Sequence, residues 1–306
     1  MIDKQLADLF SRLECGKIGA VHSIFERSVN ILSIDGKNLI TLAIDSVVQS
    51  PNMMKTTDNE SFFRMKESVR LGDAVMREND SFIRIGGINW NFGETNVLDG
   101  RISRFPLNLR EELEKEIAGF LSRYGHERDS GLYCAWFAFS GRTQFSKNSD
   151  NAYKRAFYDG LRTLDGAIKN GCKKDVLQAS NRFLGLGFGL TPSGDDFLLG
   201  CLTVWQALDA PLFLYFQEEN WLKYVKEHTT TVSYFMLEQC LSGYANDGFI
   251  ELFQSLRLGK GLARALDIFL NVGQASGIDM LCGVLFALQY VDRVHKVGLE
   301  KVIRIC

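Results

Sequence analysis

Hydrophobic spacing changes period at Phe105-Pro106, and this limits the chain to an architecture in which strands and helices are kept apart. Before that point the apolar residues come in short or alternating runs: Ile18 to Phe25, Val29 to Ile34, Leu39 to Ile44 and Phe82 to Ile85. Turn chemistry at Asp35-Gly36, Gly86-Gly87 and Asp99-Gly100 punctuates them. A charged, helix-like segment, Asp58 to Arg70, interrupts, and Met1 to Leu13 reads as an amphipathic helix. Beyond Pro106 the period is helical. Helices are expected over Leu109 to Tyr124, Ala152 to Ile168 and Lys174 to Phe183, with an aromatic, apolar stretch from Tyr133 to Phe139. Another follows Ser193 and ends before Pro211; more cover Trp221 to Cys240, Asn246 to Leu256, Leu262 to Asn271, Gly277 to Val291 and Val297 to Ile305. The fold class predicted is α+β: a β-rich barrel or sandwich domain, residues 1–105, then a mostly α-helical domain, residues 106–306.

Bulk properties remove several function classes. A net charge of −2 gives no reason to expect a nucleic-acid or acidic-membrane partner. The longest apolar runs, Gly131 to Phe139 and Phe197 to Trp205, are too short to span a bilayer. No charged-then-apolar leader opens the chain. Seven scattered cysteines form no Cys-x-x-Cys pair, and only four histidines are present. That pattern predicts reduced thiols, a cytoplasmic location and no zinc site.

The chemistry is concentrated between Leu186 and Gly200. Gly185, Gly187 and Gly189 alternate with apolar residues, which allows the backbone to approach a ligand closely. Thr191-Pro192-Ser193 reads as a helix entry, with Ser193 as N-cap and Asp196 at capping-box spacing. Phe197, Leu198, Cys201, Leu202, Trp205 and Leu208 then form an apolar helical stripe. Asp195 and Asp196 thus fall in the first turn of a buried helix, where acids commonly do no more than complement the dipole. Neither phosphate-loop pattern fits: there is no lysine for a Walker loop, and the dinucleotide fingerprint lacks its third glycine.

Part of this stretch recurs. Ser193-Gly194-Asp195-Asp196-Phe197-Leu198-Leu199-Gly200 aligns with Ser276-Gly277-Ile278-Asp279-Met280-Leu281-Cys282-Gly283, matching at Ser, Gly, the second Asp, Leu and the last Gly. A glycine inside a helix costs about 1 kcal/mol against alanine, so its repetition predicts close backbone contact. The two helices are expected to pack near Gly200 and Gly283, with N-termini converging on one cavity. Separation beyond about 15 Å, ten residues of helical rise, would contradict this. A duplication kept for packing alone is the competing reading.

Gly187 to Asp196, written Gly-x-Gly-Leu-Thr-Pro-Ser-Gly-Asp-Asp, resembles the signature of a bacterial family once loosely called carboxylases, which includes the AllH subunit of oxamate carbamoyltransferase of the anaerobic allantoin pathway. The likeness extends to Val272 to Gly283, to Thr230 and Ser233, and more faintly to His22, Ser23, Phe25 and Asn30. Phe188 stands where the pattern would have proline, and Ala275 where it would have threonine. The resemblance implies a carbamoyltransferase subunit in purine or ureide nitrogen catabolism, acting on oxamate and carbamoyl phosphate. It also implies a hetero-oligomer that includes a succinyl-CoA-synthetase-like subunit. A non-catalytic metabolite-binding or scaffold subunit, and a metal-assisted lyase or carboxylase using Asp195 and Asp196, are the alternatives.

A helix start behind flexible glycines favours a small anion such as a phosphate or carboxylate. Asp195 and Asp196 must then face elsewhere, coordinate Mg²⁺, or bind the amide end of the ligand, since carboxylates accept well from NH₂. Oxamate and carbamoyl phosphate each carry both kinds of end. Candidate ligand contacts are Gly187, Gly189, Thr191, Ser193, Gly194, Thr230, Ser233, Ser276, Gly277 and Asp279, with Asp195 or Asp196 orienting or deprotonating the attacking amide nitrogen. Capping remains the competing role for Asp196. Arg182, Lys260 and Arg264 are the available cations for phosphate, and His22 reads as a packed strand residue.

Overall fold

The computed structural model describes residues 1–79, 81–91, 96–142 and 151–291, in two compact units. The chain is α+β. The first unit comprises Met1–Arg101 and Tyr244–Asp247. It holds strands β1 (Ile2–Asp3), β2 (Gly16–Ile24), β3 (Ser28–Ser33), β4 (Leu39–Ile44), β5 (Met53–Thr56), β6 (Ala74–Arg77), β7 (Phe82–Ile85), β8 (Ile88–Asn91) and β9 (Val97–Leu98). Two helices, α1 (Lys4–Phe10) and α2 (Asn59–Ser68), complete it. The nine strands form one sheet in the order β8-β7-β6-β2-β3-β4-β5-β1-β9, curled into a half-barrel. Pairing is antiparallel except between β4 and β5 and between β1 and β9.

Alternation sends Val29, Ile31, Ile40, Leu42, Ile83 and Ile85 to the core, where Leu6 and Phe10 of α1 and Phe62 and Met65 of α2 meet them. Gly86 and Gly87, both at positive φ, make the two-residue turn between β7 and β8. The expected helix from Met1 to Leu13 is shorter, because Ile2 joins the sheet opposite Met54 and Val97. Asp3 then caps α1 by accepting from the Gln5 and Leu6 amides. Asn30 receives the Thr41 hydroxyl at 2.8 Å and donates to Ser23 Oγ at 3.0 Å, with His22 Nδ1 3.2 Å from that same oxygen. His22 sits in a packed polar cluster, as expected of a strand histidine.

The second unit comprises Ile102–Gly243 and everything described after Asp247. Its helices are α3 (Arg110–Tyr124), α4 (Leu132–Phe139), α5 (Ala152–Asn170), α6 (Lys173–Asn181), α7 (Ser193–Ala207), α8 (Phe213–Phe216), α9 (Glu219–His228), α10 (Thr231–Leu241), α11 (Asp247–Leu258), α12 (Leu262–Phe269) and α13 (Ser276–Leu288). The single helix expected over Trp221 to Cys240 is broken. Thr229 is extended, and Thr230 caps α10 by accepting from the Ser233 amide at 3.1 Å. The helix expected over Val297 to Ile305 lies outside the described residues. Helix α7 is buried along nearly its whole length and α13 along all but its first residue, so together they are the centre of this unit.

Candidate functional site

Helices α7 and α13 touch backbone to backbone. A Cβ on Gly200 would overlap the carbonyl oxygen of Met280, and one on Gly283 would overlap that of Phe197. In the repeat, Gly200 corresponds to Gly283 and Phe197 to Met280. The contact is therefore reciprocal, like the self-complementary face of a two-fold dimer drawn within one chain. Glycine is required at both places because any side chain would wedge the helices apart.

The approaches to the two helices match as well. Leu186 N–H donates to Phe183 O at 3.0 Å, and Gly194 N–H donates to Leu186 O at 2.9 Å. At the second opening Val272 N–H donates to Phe269 O at 3.2 Å, and Gly277 N–H donates to Val272 O at 3.1 Å. A Cβ on Gly194 would strike Phe183 O; one on Gly277 would strike Phe269 O. The repeat thus begins upstream of the serines, at Phe183-Leu184-x-Leu186-Gly187 and Phe269-Leu270-x-Val272-Gly273.

Both N-termini meet. Thr191 Oγ1 and Ser276 Oγ lie 3.0 Å apart. The Ser276 hydroxyl lies near the carboxyl of Asp196 and favours its ionisation, and the Ser193 hydroxyl does the same for Asp279. Each helix thus sets its first serine near the acid of the other. Ser130, in the turn before α4, donates to Asp279 at 2.8 Å. Both acids are buried, with Oδ2 of each left without a hydrogen-bond partner.

Burial pushes Asp196 well above the usual carboxylate range, and the charge of Asp279 pushes it further. Burial pushes Asp279 up to about 7, against the lowering effect of the Ser130 and Ser193 hydroxyls. Two facing acids in so dry a place titrate as a pair. Ser193 caps nothing here: Pro192 occupies the cap position, and no side chain bonds the first-turn amides of α7. The capping-box bond expected of Asp196 is therefore absent, and its carboxyl lies near Ser276 of the other helix instead.

Asp195 does different work. Its Oδ1 accepts from Gly185 N–H at 2.9 Å, and its Oδ2 accepts from the Thr229 hydroxyl. Burial raises it, while Thr229, Gly185 and Ser233 oppose the rise. It ties the glycine loop to the junction of α9 and α10. Thr230 Oγ1 donates to Leu190 O at 2.5 Å, and Ser233 Oγ lies 3.5 Å from the same oxygen. The hydroxyl cluster therefore holds the loop's shape. Gly187 and Gly189 take φ of 129° and 84°, and among the described residues no acceptor meets their N–H groups. They and the exposed Phe188 form the outward surface of the loop.

Two models of one family match this chain: the AllH family N-terminal domain over residues 1–97, and oxamate carbamoyltransferase subunit AllH over residues 183–288. The chain belongs to the AllH family of oxamate carbamoyltransferase subunits. The second match opens at Phe183, whose carbonyl packs on Gly194, and closes at the end of α13, so it spans the whole paired opening. No solved structure matches the chain.

Of the residues expected at the site of this AllH-family chain, the structure gathers Thr191, Ser193, Asp196, Ser276 and Asp279 into one polar group. Asp195, Thr230 and Ser233 gather round the loop beside it. Gly194 and Gly277 are packing positions whose N–H groups are already used. Arg182 turns to Thr163 Oγ1, 3.0 Å away, and lines a groove of about 560 Å³ beside α5 and α6. Ser130 is an addition, and Thr229 belongs to the hydroxyl-rich run Thr229-Thr230-Thr231-Val232-Ser233 that the sequence offers beside the cavity. Ser130 had a signal in the sequence, a Ser-Gly pair before an apolar helix, but shared that pair with Ser140 and Ser242. Among the described residues no group of three or more His, Cys, Asp or Glu side chains is placed to hold a metal ion, and no described helix is long and apolar enough to cross a membrane.

Proposed function

We propose that this subunit carries the carbamoyl-transfer site for oxamate and carbamoyl phosphate, within a cytoplasmic hetero-oligomer of ureide and purine nitrogen catabolism that includes a succinyl-CoA-synthetase-like subunit. The observation that carries the reading is the pair of buried acids, each with a serine of the other helix beside it. In the transfer the amide nitrogen of oxamate attacks the carbamoyl carbon. A C–N bond forms, the bond from that carbon to the phosphate oxygen breaks, and the nitrogen gives up one proton. A pair of carboxyls sharing one proton can take a proton through one hydroxyl and return one through another. Here the hydroxyls are Ser193 on one side, and Ser276 with Thr191 on the other. The N–H groups of Gly187 and Gly189 suit the developing oxyanion or the phosphate oxygens. Asp195 then acts as a positioning residue that holds the loop for them, and Thr230 and Ser233 do the same at Leu190.

The test is carbamoyl transfer by the complete assembly carrying Asp196→Asn or Asp279→Asn. Loss of turnover with the assembly intact supports the reading; unchanged turnover overturns it. The depth of the acids favours one second reading, a scaffold subunit whose acid pair only holds the two openings together. In that case both variants would alter stability and leave transfer by the assembly alone.

A further inference from the structure

One donor sets the two acids apart. Ser276 lies near Asp196 and favours its ionisation, and Ser193 does the same for Asp279. Of the two acids, only Asp279 accepts a side-chain hydrogen bond among the described residues, from Ser130 at 2.8 Å, which reaches it from the turn between Arg128 and α4. Ser130 is itself held in place: Asp129 Oδ1 caps that turn by accepting from Gly131 N–H at 2.8 Å and Cys134 N–H at 3.3 Å. We infer that Ser130 is a positioning residue that makes the acid pair unequal, placing the proton on Asp196 and the negative charge on Asp279.

The physical reason is local. A carboxylate that accepts a hydroxyl at hydrogen-bond distance is better stabilised as an anion than one without that bond, and in a buried site water cannot level the difference. The other charged and titratable neighbours do not reverse the order. Asp129 faces Asp279 and opposes its ionisation, Cys282 lies beside it on α13, and Asp195 opposes ionisation of Asp196. Without Ser130 the two acids would be near-equivalents related by the repeat. With it, Asp279 acts through Ser193 as the proton acceptor, and Asp196 acts through Ser276 and Thr191 as the donor. The use made of the proton rests on the proposed transfer reaction; its location does not.

Carboxyl-carbon NMR of the full chain labelled with ¹³C-aspartate tests the location without any substrate, the two signals being assigned by Asp196→Asn and Asp279→Asn. Asp279 should titrate at the lower pH of the two. Ser130→Ala should raise its midpoint by about one to two pH units, the worth of one hydrogen bond to a charged group. Ser130→Thr, which keeps the hydroxyl, should restore it. The inference is overturned if Asp196 titrates at the lower pH in the unaltered chain, or if Ser130→Ala leaves the Asp279 midpoint in place. Should Ser130→Ala not fold, the order of the two midpoints in the unaltered chain still decides. Correct titrations in an assembly that transfers no carbamoyl group would overturn the proposed function and leave this assignment standing.

Discussion

The opening of α7 and the opening of α13 share a frame and differ in what hangs on it. Both have a Phe carbonyl packed on the glycine after the serine, a turn closed by the same two hydrogen bonds, and a helix glycine pressed on the partner backbone. Yet the first opening carries Gly187-Phe188-Gly189-Leu190-Thr191-Pro192, whereas the second passes from Gly273 to Ser276 through Gln274 and Ala275 alone. At the place of Asp195 the second opening has Ile278, buried like its counterpart but needing no partner. Asp195 in turn holds Gly185 and Thr229. The comparison separates two requirements. Close packing of two helices fixed the shared frame, and the extra loop with its extra acid gave one opening a surface for a guest.

The sharpest way to break the comparison is through the acids that both openings share. Asp196→Asn or Asp279→Asn should lower turnover of the assembly by about 10²- to 10⁴-fold, the usual worth of a positioned acid or base, measured by steady-state carbamoyl transfer. The pH dependence follows from the upward shifts. With Asp279 at about 7, the rate should climb as pH rises through that value, then fall once Asp196 loses its proton at higher pH. Asp279→Asn should remove the rising limb. Stability runs the other way. A carboxyl whose folded value is raised binds its proton more tightly folded than unfolded, so resistance to denaturant should decline as pH rises from about 4 to about 7. The same variant should flatten that decline.

Next in size is the shared glycine contact. Gly200→Ala and Gly283→Ala should each cost about 1–3 kcal/mol in denaturant unfolding, despite alanine's better helix propensity. Because both residues serve one contact, the double variant should cost less than the sum of the two. Asp195→Ala sharpens the difference between the openings. It removes the two hydrogen bonds that tie the loop to the junction of α9 and α10, so it should raise KM more than it lowers kcat, which a positioning role requires and an acid–base role does not. The smallest effect belongs to Gly189→Ala. No atom lies near the new methyl, so only the left-handed backbone at φ 84° resists, at about 1 kcal/mol of stability.

Much of this could be read from residue types. The period change announced an α+β chain, and the strands β2, β3, β4 and β7 stand where alternation put them. The short strands β1, β5, β6, β8 and β9 were not legible, since runs of two to four residues carry little pattern and are held by their neighbours in the sheet. At the site, the repeated Ser-Gly-x-Asp spelling pointed to both acids and to the glycine contact. It could not show that each serine lies beside the acid of the opposite helix, because Ser193 is spaced equally well to cap its own.

Sequence alone determined which residues the two helices must place at their crossing, since only glycine lets backbones meet there, and which acids follow each helix start. The tertiary structure decided what those acids do. Asp195 and Asp196 are adjacent in the chain and one helical step apart in direction, so one points to the loop and the other to Asp279. Their neighbours across space, Thr229 for the first and Ser276 for the second, come from elements that no local pattern ties to them.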